Sequence, residues 1–284
     1  MVVAATSRVF GNEWDGGVTT MFEQHEKTSH FPCGCADVVF VGQESNMIGV
    51  ACDDGNVVVM AITSVGQEGW KPLHLLAEHD NGVTCLSSSS AKPDTLASCS
   101  TDHTSRIWQF GDGAATCTRT LEGHHAPVYG IAHNDDGSTL ASVGQDGRIR
   151  LWDLRANEAK AAASEATGSP LYCVCWGHDG NHVYTGGEDG DVLEYDVRAP
   201  AQAAQRLRGH GDSVRRVAIG ESASGVAVLA SAADDCCLML RPLSMLSSGE
   251  MVQPHKDYVR GMCWGKGLVV SGSWDRTISH VEVK

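Results

Sequence analysis

The chain repeats itself. Six aspartates, Asp54, Asp102, Asp146, Asp189, Asp235 and Asp275, stand 48, 44, 43, 46 and 40 residues apart, each between two short apolar segments. The clearest copies read LASCSTDHTSRIW (Leu96–Trp108) and LASVGQDGRIRLW (Leu140–Trp152). Weaker copies are VYTGGEDGDVLEY (Val183–Tyr195), LASAADDCCLMLR (Leu229–Arg241), VVSGSWDRTISHV (Val269–Val281) and IGVACDDGNVVVM (Ile48–Met60). Within them apolar residues alternate with period two, as strands do, and the Asp marks a tight turn. With 32 glycines among 284 residues the chain is also rich in turn formers, which fits many short strands. The spacing is that of a β-propeller blade, not of a helical solenoid.

A second mark precedes four copies. His79, His124, His210 and His255 are each followed four residues later by a valine, namely Val83, Val128, Val214 and Val259. In the two best copies one buried hydrogen-bond chain can then form. It runs from the Trp108 or Trp152 N–H to Ser98 or Ser142, on to His79 or His124, and ends at Asp102 or Asp146. Every polar tip in such a chain has a partner, which burial demands. Ser, His and Asp in contact also compose a hydrolase triad. A triad occurs once and opens onto a cleft, however, whereas this set recurs between strands, so it reads as architecture and no enzyme is expected.

Glu78-His79, Gly123-His124, Gly209-His210 and Pro254-His255 resemble the Gly-His that opens a WD repeat, and Trp152-Asp153 resembles its closing dipeptide. The chain therefore resembles the WD-repeat family over nearly its whole length. Counting strands gives an all-β fold, a seven-bladed WD-repeat β-propeller forming a single domain over residues 1–284. Residues 32–284 hold six WD-type repeats and residues 1–31 a partial first blade. Outer strands are expected near Pro72–Ala77, Thr116–Leu121, Glu158–Glu165, Ala203–Leu207 and Glu250–Gln253. In the first blade Val2–Thr6, Val18–Phe22 and Lys27–Phe31 read as its second, third and fourth strands. No inner strand precedes Met1 and no outer strand follows the last repeat. The N-terminal blade is thus expected to be incomplete, ring closure imperfect, and the natural start upstream.

Composition narrows the function. Hydrophobic content of 42% with 20% charged residues supplies a large core and argues against overall disorder. Lys and Arg number 21 against 35 Asp and Glu, a net charge of −14. Such a chain repels phosphate backbones, so direct nucleic-acid binding is not expected and a basic protein or tail is the easier partner. The longest apolar run, Val57–Ile62, falls far short of the ~20 residues a spanning helix needs, so no membrane association is expected. The N-terminus does not read as a signal peptide. Eleven cysteines, an odd number without framework spacing, read as reduced core thiols, pointing to cytoplasm and nucleus.

No cofactor or metal is expected. Cys33-Gly-Cys35 and Cys173-Val-Cys175 each place two thiols on one strand face, but no second pair stands near in sequence to complete a zinc site. Cys236-Cys237 alternates faces, and all of these read as small buried hydrophobes. Gly186–Asp191 lacks the alternating oxygens of a calcium loop. Phosphate-cradling motifs are absent. What remains is a binding scaffold.

Three stretches resemble one branch of the family, the methylosome WD-repeat subunit. They are Gly34–Met60, Glu78–Ser88 and Pro254–Val283, in that subunit's order and spacing. The resemblance implies a non-catalytic adaptor that docks on a type II protein arginine methyltransferase and helps present Arg-rich substrates such as histone and Sm-protein tails. It also implies a docking hairpin, here Phe10, Asn12, Glu13, Trp14 and Asp15, with Trp14 as anchor. A different reading starts from QDGRIRLWDLR (Gln145–Arg155), which resembles the box by which WD-repeat substrate receptors join a cullin–RING ubiquitin ligase. Tyr195–Arg198 is a weaker copy. Arg155 and Arg198 would then contact the ligase adaptor. A generic scaffold is the third reading.

Overall fold

The computed structural model describes residues 2–10, 13–22, 25–42, 47–61, 71–111, 113–156 and 161–284; residues 2–29, Lys71 and Ala161 are described by backbone alone. All regular elements among them are strands, apart from one 3₁₀ turn at Leu243–Met245. No helix is long and apolar enough to cross a membrane. The chain forms two compact units, Met1–Ser142 with Asp153–Ala159, and Val143–Trp152 with Lys160–Lys284.

The first unit opens with a three-stranded antiparallel sheet of β1 (Val2–Phe10), β2 (Glu13–Phe22) and β3 (His25–Phe31). Two four-stranded meanders follow. One is β4 (Cys35–Val41), β5 (Met47–Cys52), β6 (Val57–Ala61) and β7 (Lys71–Leu76). The other is β8 (Val83–Ser89), β9 (Lys92–Ser100), β10 (Thr104–Phe110) and β11 (Ala115–Glu122). The next repeat, β12 (Val128–His133), β13 (Thr139–Gly144), β14 (Ile149–Asp153) and β15 (Ala161–Ala163), is divided between the units.

The second unit continues with β16 (Leu171–Trp176), β17 (His182–Gly187), β18 (Val192–Asp196) and β19 (Gln205–Leu207) as one meander. The next is β20 (Val214–Glu221), β21 (Ala227–Ala233), β22 (Leu238–Pro242) and β23 (Glu250–Val252). A three-stranded sheet of β24 (Val259–Trp264), β25 (Leu268–Ser273) and β26 (Ile278–Glu282) ends the chain.

The expectation of seven blades is corrected to six. Each of the six copies of the repeat carries a turn Asp and builds one blade, whereas neither connection in β1–β3 holds one. The N-terminal strands also run further than expected. The ladder pairs Phe10 with Glu13, Val9 with Trp14 and Arg8 with Asp15, so the hairpin tip is shorter than the one expected from Phe10 to Asp15. Two residues suffice for the tightest hairpin connection, which lets pairing continue that far.

The second strand of each blade is buried over a run that takes in both of its faces. In the first unit Val41, Val57, Val59, Leu76, Val83, Leu86, Leu96 and Trp108 form one core. In the second, Cys173, Tyr184, Val192, Leu207, Val214 and Leu229 form one core, and Val228, Ala230, Leu238, Leu240, Val259 and Val269 another. A strand buried on both faces reads as a continuous run of small and apolar residues, as at Leu96–Ser100 and Val228–Ala233. Gly220 in β20 illustrates how closely these layers meet: a Cβ there would collide with the indole of Trp264.

Candidate interaction surfaces

We label the strands of each blade a to d in chain order. The loop into strand a and the b–c turn lie at the same end of a meander, here the upper end. The buried polar sets tie these two together. His79 Nδ1 lies 2.7 Å from Asp102 Oδ2 and its Nε2 lies 2.8 Å from Ser98 Oγ, which accepts the Trp108 Nε1–H at 2.8 Å. Because Trp can only donate, Ser98 donates onward to Nε2, and the neutral ring gives its Nδ1–H to the carboxylate. His210 and His255 repeat the pattern, at 2.8 Å to Ser231 and Ser271 and at 3.0 and 3.1 Å to Asp235 and Asp275. His124 reaches Ser142 at 2.8 Å; Asp146 and Trp152 belong to the other unit. In the His210 set the tryptophan position holds Arg241, whose guanidinium donates to the carbonyls of Arg208 and Leu246 instead.

Ser98 and Ser142 are wholly buried, and Ser231 and Ser271 nearly so. No substrate carbonyl reaches such a hydroxyl, so these sets present no nucleophile. Burial pushes the Asp102 carboxyl up, but hydrogen bonds from His79 and Thr104 outweigh it and hold the group well below the usual carboxylate range. Burial also lowers His210, against the opposing pull of Asp235.

The six turn aspartates do a second job. Each accepts the backbone N–H two residues on, at Asn56, Thr104, Arg148, Asp191, Cys237 and Thr277, over 2.8–3.3 Å. The residue between adopts the left-handed region in every copy. It is glycine at Gly55, Gly147 and Gly190, but His103, Cys236 and Arg276 carry side chains there, with φ of 73, 68 and 67°.

Strand a begins with an irregularity. In five of the a–b pairs the register slips by one residue, at Ala36, Thr84, Tyr172, Arg215 and Arg260. A bulge leaves its extra residue out of the ladder and re-aims its side chain. In the second unit three such residues converge at the upper end. The Arg215 guanidinium lies 4.0 Å from the Tyr172 ring centroid and donates from Nε to Asp234 Oδ2 at 2.8 Å. Arg260 pairs with the same buried carboxylate, Nε to Oδ1 at 2.9 Å. Its guanidinium also lies 5.4 Å from the Tyr258 ring and 5.1 Å from Trp274. Those two rings stand 5.5 Å apart, and Trp274 is 61% exposed. An aromatic pair held by a cation that is itself tied to a buried carboxylate is a rigid, partly wet anchor of the kind that dominates protein interfaces.

Sequence reasoning missed this cluster. Its one legible signal is Trp274, which fills a turn position where the other copies hold Asp53, Thr101, Gln145, Glu188 and Asp234. Exposed acids surround the upper ends: Asp53, Asp54, Glu78 and Asp80 in the first unit, and Glu188, Asp189 and Asp212 in the second.

Of the expected docking hairpin, Asn12 lies outside the described residues, and Phe10, Glu13, Trp14 and Asp15 are placed by backbone alone at the β1–β2 end. Arg155 and Arg198 are both exposed, and each is clamped in the same way. Nε and Nη2 donate to the carboxylate two residues back, Asp153 at 3.0 and 3.0 Å and Asp196 at 2.9 and 2.6 Å. At the lower end of β16–β19 a cavity of about 370 Å³ is lined by Asp179, His182, Tyr184, Glu194 and Leu243. Its polar groups already pair, His182 with Asp179 and Tyr184 with Glu194. The eleven cysteines are all free thiols, and they are not uniformly core: Cys263 is exposed, and Cys33, Cys117, Cys175 and Cys236 are half-buried.

Antiparallel meanders with a turn Asp in every repeat and a buried His–Ser pair in four of them define a class, the all-β proteins of propeller-type blades. Residues 70–109, 115–153 and 163–196 match the family model described as WD domain, G-beta repeat. Over those residues the chain carries WD40 repeats.

It is 34% identical over 110 residues to the probable cytosolic iron-sulfur protein assembly protein 1 of Neurospora crassa, covering 31% of this chain and 24% of that one. Nuclear distribution protein PAC1 of Candida albicans is 34% identical over 104 residues, covering 36% and 20%. Polycomb protein EED of Chaetomium thermophilum is 35% identical over 109 residues, covering 37% and 18%. The chain spans about a fifth to a quarter of the length of the curated relatives it matches. Their names describe unrelated processes and none is a methylosome subunit, so the likeness holds at the level of the WD repeat.

Proposed function

We propose that this chain is a WD-repeat adaptor whose upper ends hold other proteins. The observation that carries this reading is the exposed Trp274–Tyr258 pair, held by Arg260, which is itself tied to the buried Asp234. A solvated Trp held between Tyr258 and Arg260 serves no core and loses little freedom on docking. Within that reading, the complex is that of a type II protein arginine methyltransferase. Three features support this: the resemblance of residues 34–60, 78–88 and 254–283, the net charge of −14, and the exposed acids at the upper ends. The acids attract Arg-rich tails, and Trp14 on the β1–β2 hairpin anchors the enzyme.

Co-purification with mass spectrometry tests both levels. An arginine methyltransferase is expected among the recovered proteins, and Trp14→Ala weakens that contact by about 2 kcal/mol. Trp274→Ala depletes the partners held at the upper end. Recovery of the same set from Trp274→Ala would refute the adaptor surface; absence of the enzyme would refute the methyltransferase reading.

The identical clamping of Arg155 and Arg198 favours a second reading, a ubiquitin-ligase substrate receptor. It predicts a ligase adaptor in the wild-type pull-down that is lost on Arg155→Ala.

A further inference from the structure

The sequence offers Cys33 and Cys35 as an isolated thiol pair, and the fold adds what the sequence keeps apart. Strands β4 and β5 pair Cys35 with Cys52 in register. The turn after β5 then returns Asp54. One ligand atom each from Cys33, Cys52 and Asp54 lie within 4.8 Å of one another, the one such group among the described residues. We propose that Cys33, Cys52 and Asp54 bind a zinc ion, with a water in the fourth position.

The parts are preset. Asp53 clamps the loop that carries Cys33: the Gly34 N–H donates to Asp53 Oδ1 at 2.9 Å, and the Asp53 N–H returns to the Gly34 carbonyl at 3.0 Å. Asn56 orients Asp54 from its backbone N–H at 3.1 Å and its side-chain amide at 2.8 Å. The turn is closed by Cys52 N–H to the Asn56 carbonyl at 3.0 Å, with Gly55 at a φ of 89°. Tetrahedral zinc with sulfur at about 2.3 Å needs its ligand atoms roughly 3.8 Å apart, so small side-chain rotations close the shell. Two thiolates and a carboxylate select zinc over the hard cations, which prefer all-oxygen shells. Asp54 is exposed and gives the ion a route in, while Cys35 and Cys52 are buried. Binding releases the two thiol protons.

The full chain, reduced and stripped with chelator, is titrated with Co²⁺ and then with Zn²⁺. One Co²⁺ per chain is expected, with thiolate-to-cobalt charge-transfer absorbance that Zn²⁺ displaces. Cys33→Ser and Cys52→Ser abolish that absorbance, whereas Cys173→Ser in another blade leaves it intact. Asp54→Asn, on the surface and keeping one carbonyl oxygen to accept the Asn56 N–H, weakens metal binding by about tenfold or more. The proposal is overturned if the wild type shows no such absorbance, if the band survives Cys52→Ser, or if Asp54→Asn binds as tightly as wild type. It is equally overturned if the purified chain carries a Cys33–Cys52 disulfide and, once reduced, takes up no metal.

Discussion

An aspartate closes each turn, and Asp102, Asp235 and Asp275 also orient a buried histidine, so the loss of one of these three strikes twice. In Asp102→Ala the Nδ1–H of His79 is left buried without its carboxylate, and the backbone N–H groups of Asp80 and Thr104 lose their acceptor. An unsatisfied buried donor costs about 1–3 kcal/mol, and the urea midpoint should fall accordingly. The next residue makes the opposite case. Cys236 holds the left-handed region with a Cβ in place. That conformation costs a non-glycine residue roughly 1–2 kcal/mol, part of which glycine's extra unfolded-state entropy offsets. Cys236→Gly should therefore raise the midpoint by an amount equivalent to about 1 kcal/mol or less; a lower midpoint would show the thiol to be stabilising. The aspartates and histidines were legible in the sequence because both recur. The shared backbone conformation was not, since only three of the six positions are glycine.

Among elements, the inner strands announce themselves along their length, whereas the outer ones were legible in place but not always in extent. Strands β9, β13 and β21 are buried along nearly their whole length, and their runs of Leu, Ala, Ser and Val admit few other roles. The outer strands β15, β19 and β23 have three residues each and pair on one side only. Little apolar surface is buried there, so the segment expected over Glu158–Glu165 resolves to Ala161–Ala163. The bulges in strand a were illegible for a different reason. A one-residue slip leaves no mark on a pattern of period two beyond a phase change, and the re-aimed residues differ from blade to blade. Packing between blades supplies the sharpest element-scale test. Gly220→Ala drives a Cβ into the Trp264 ring, and a flat, rigid indole has no rotamer to yield. Overpacking of this kind costs about 1–3 kcal/mol, read as an earlier urea midpoint and a shift in Trp264 emission.

At the scale of the whole molecule, buried imidazoles decide how the protein meets acid. His133 ends β12, its Nδ1 3.0 Å from Ser87 Oγ and its backbone N–H donating to the same oxygen. Burial, assisted by the Lys92 cation, pulls its pKa down to about 4. In the unfolded chain the ring takes its proton near pH 6.5. Between those values the unfolded state binds more protons, so the contribution of His133 is fully present above pH ~6.5 and is lost as pH falls towards about 4. His210 has the same sign in the second unit. Asp102 and Asp275, both held below the usual carboxylate range, keep their contributions above pH ~4 and lose them at lower pH. Two successive declines follow, one from imidazoles and one from carboxylates, which urea midpoints measured at intervals from pH 8 to 3 should resolve. His133→Asn keeps a hydrogen bond to Ser87 but cannot titrate. Its midpoint should hold steadier than wild type through the first decline and fall with it through the second. A variant that loses stability in parallel with wild type from pH 7 to 5 would show that other groups govern the acid limb.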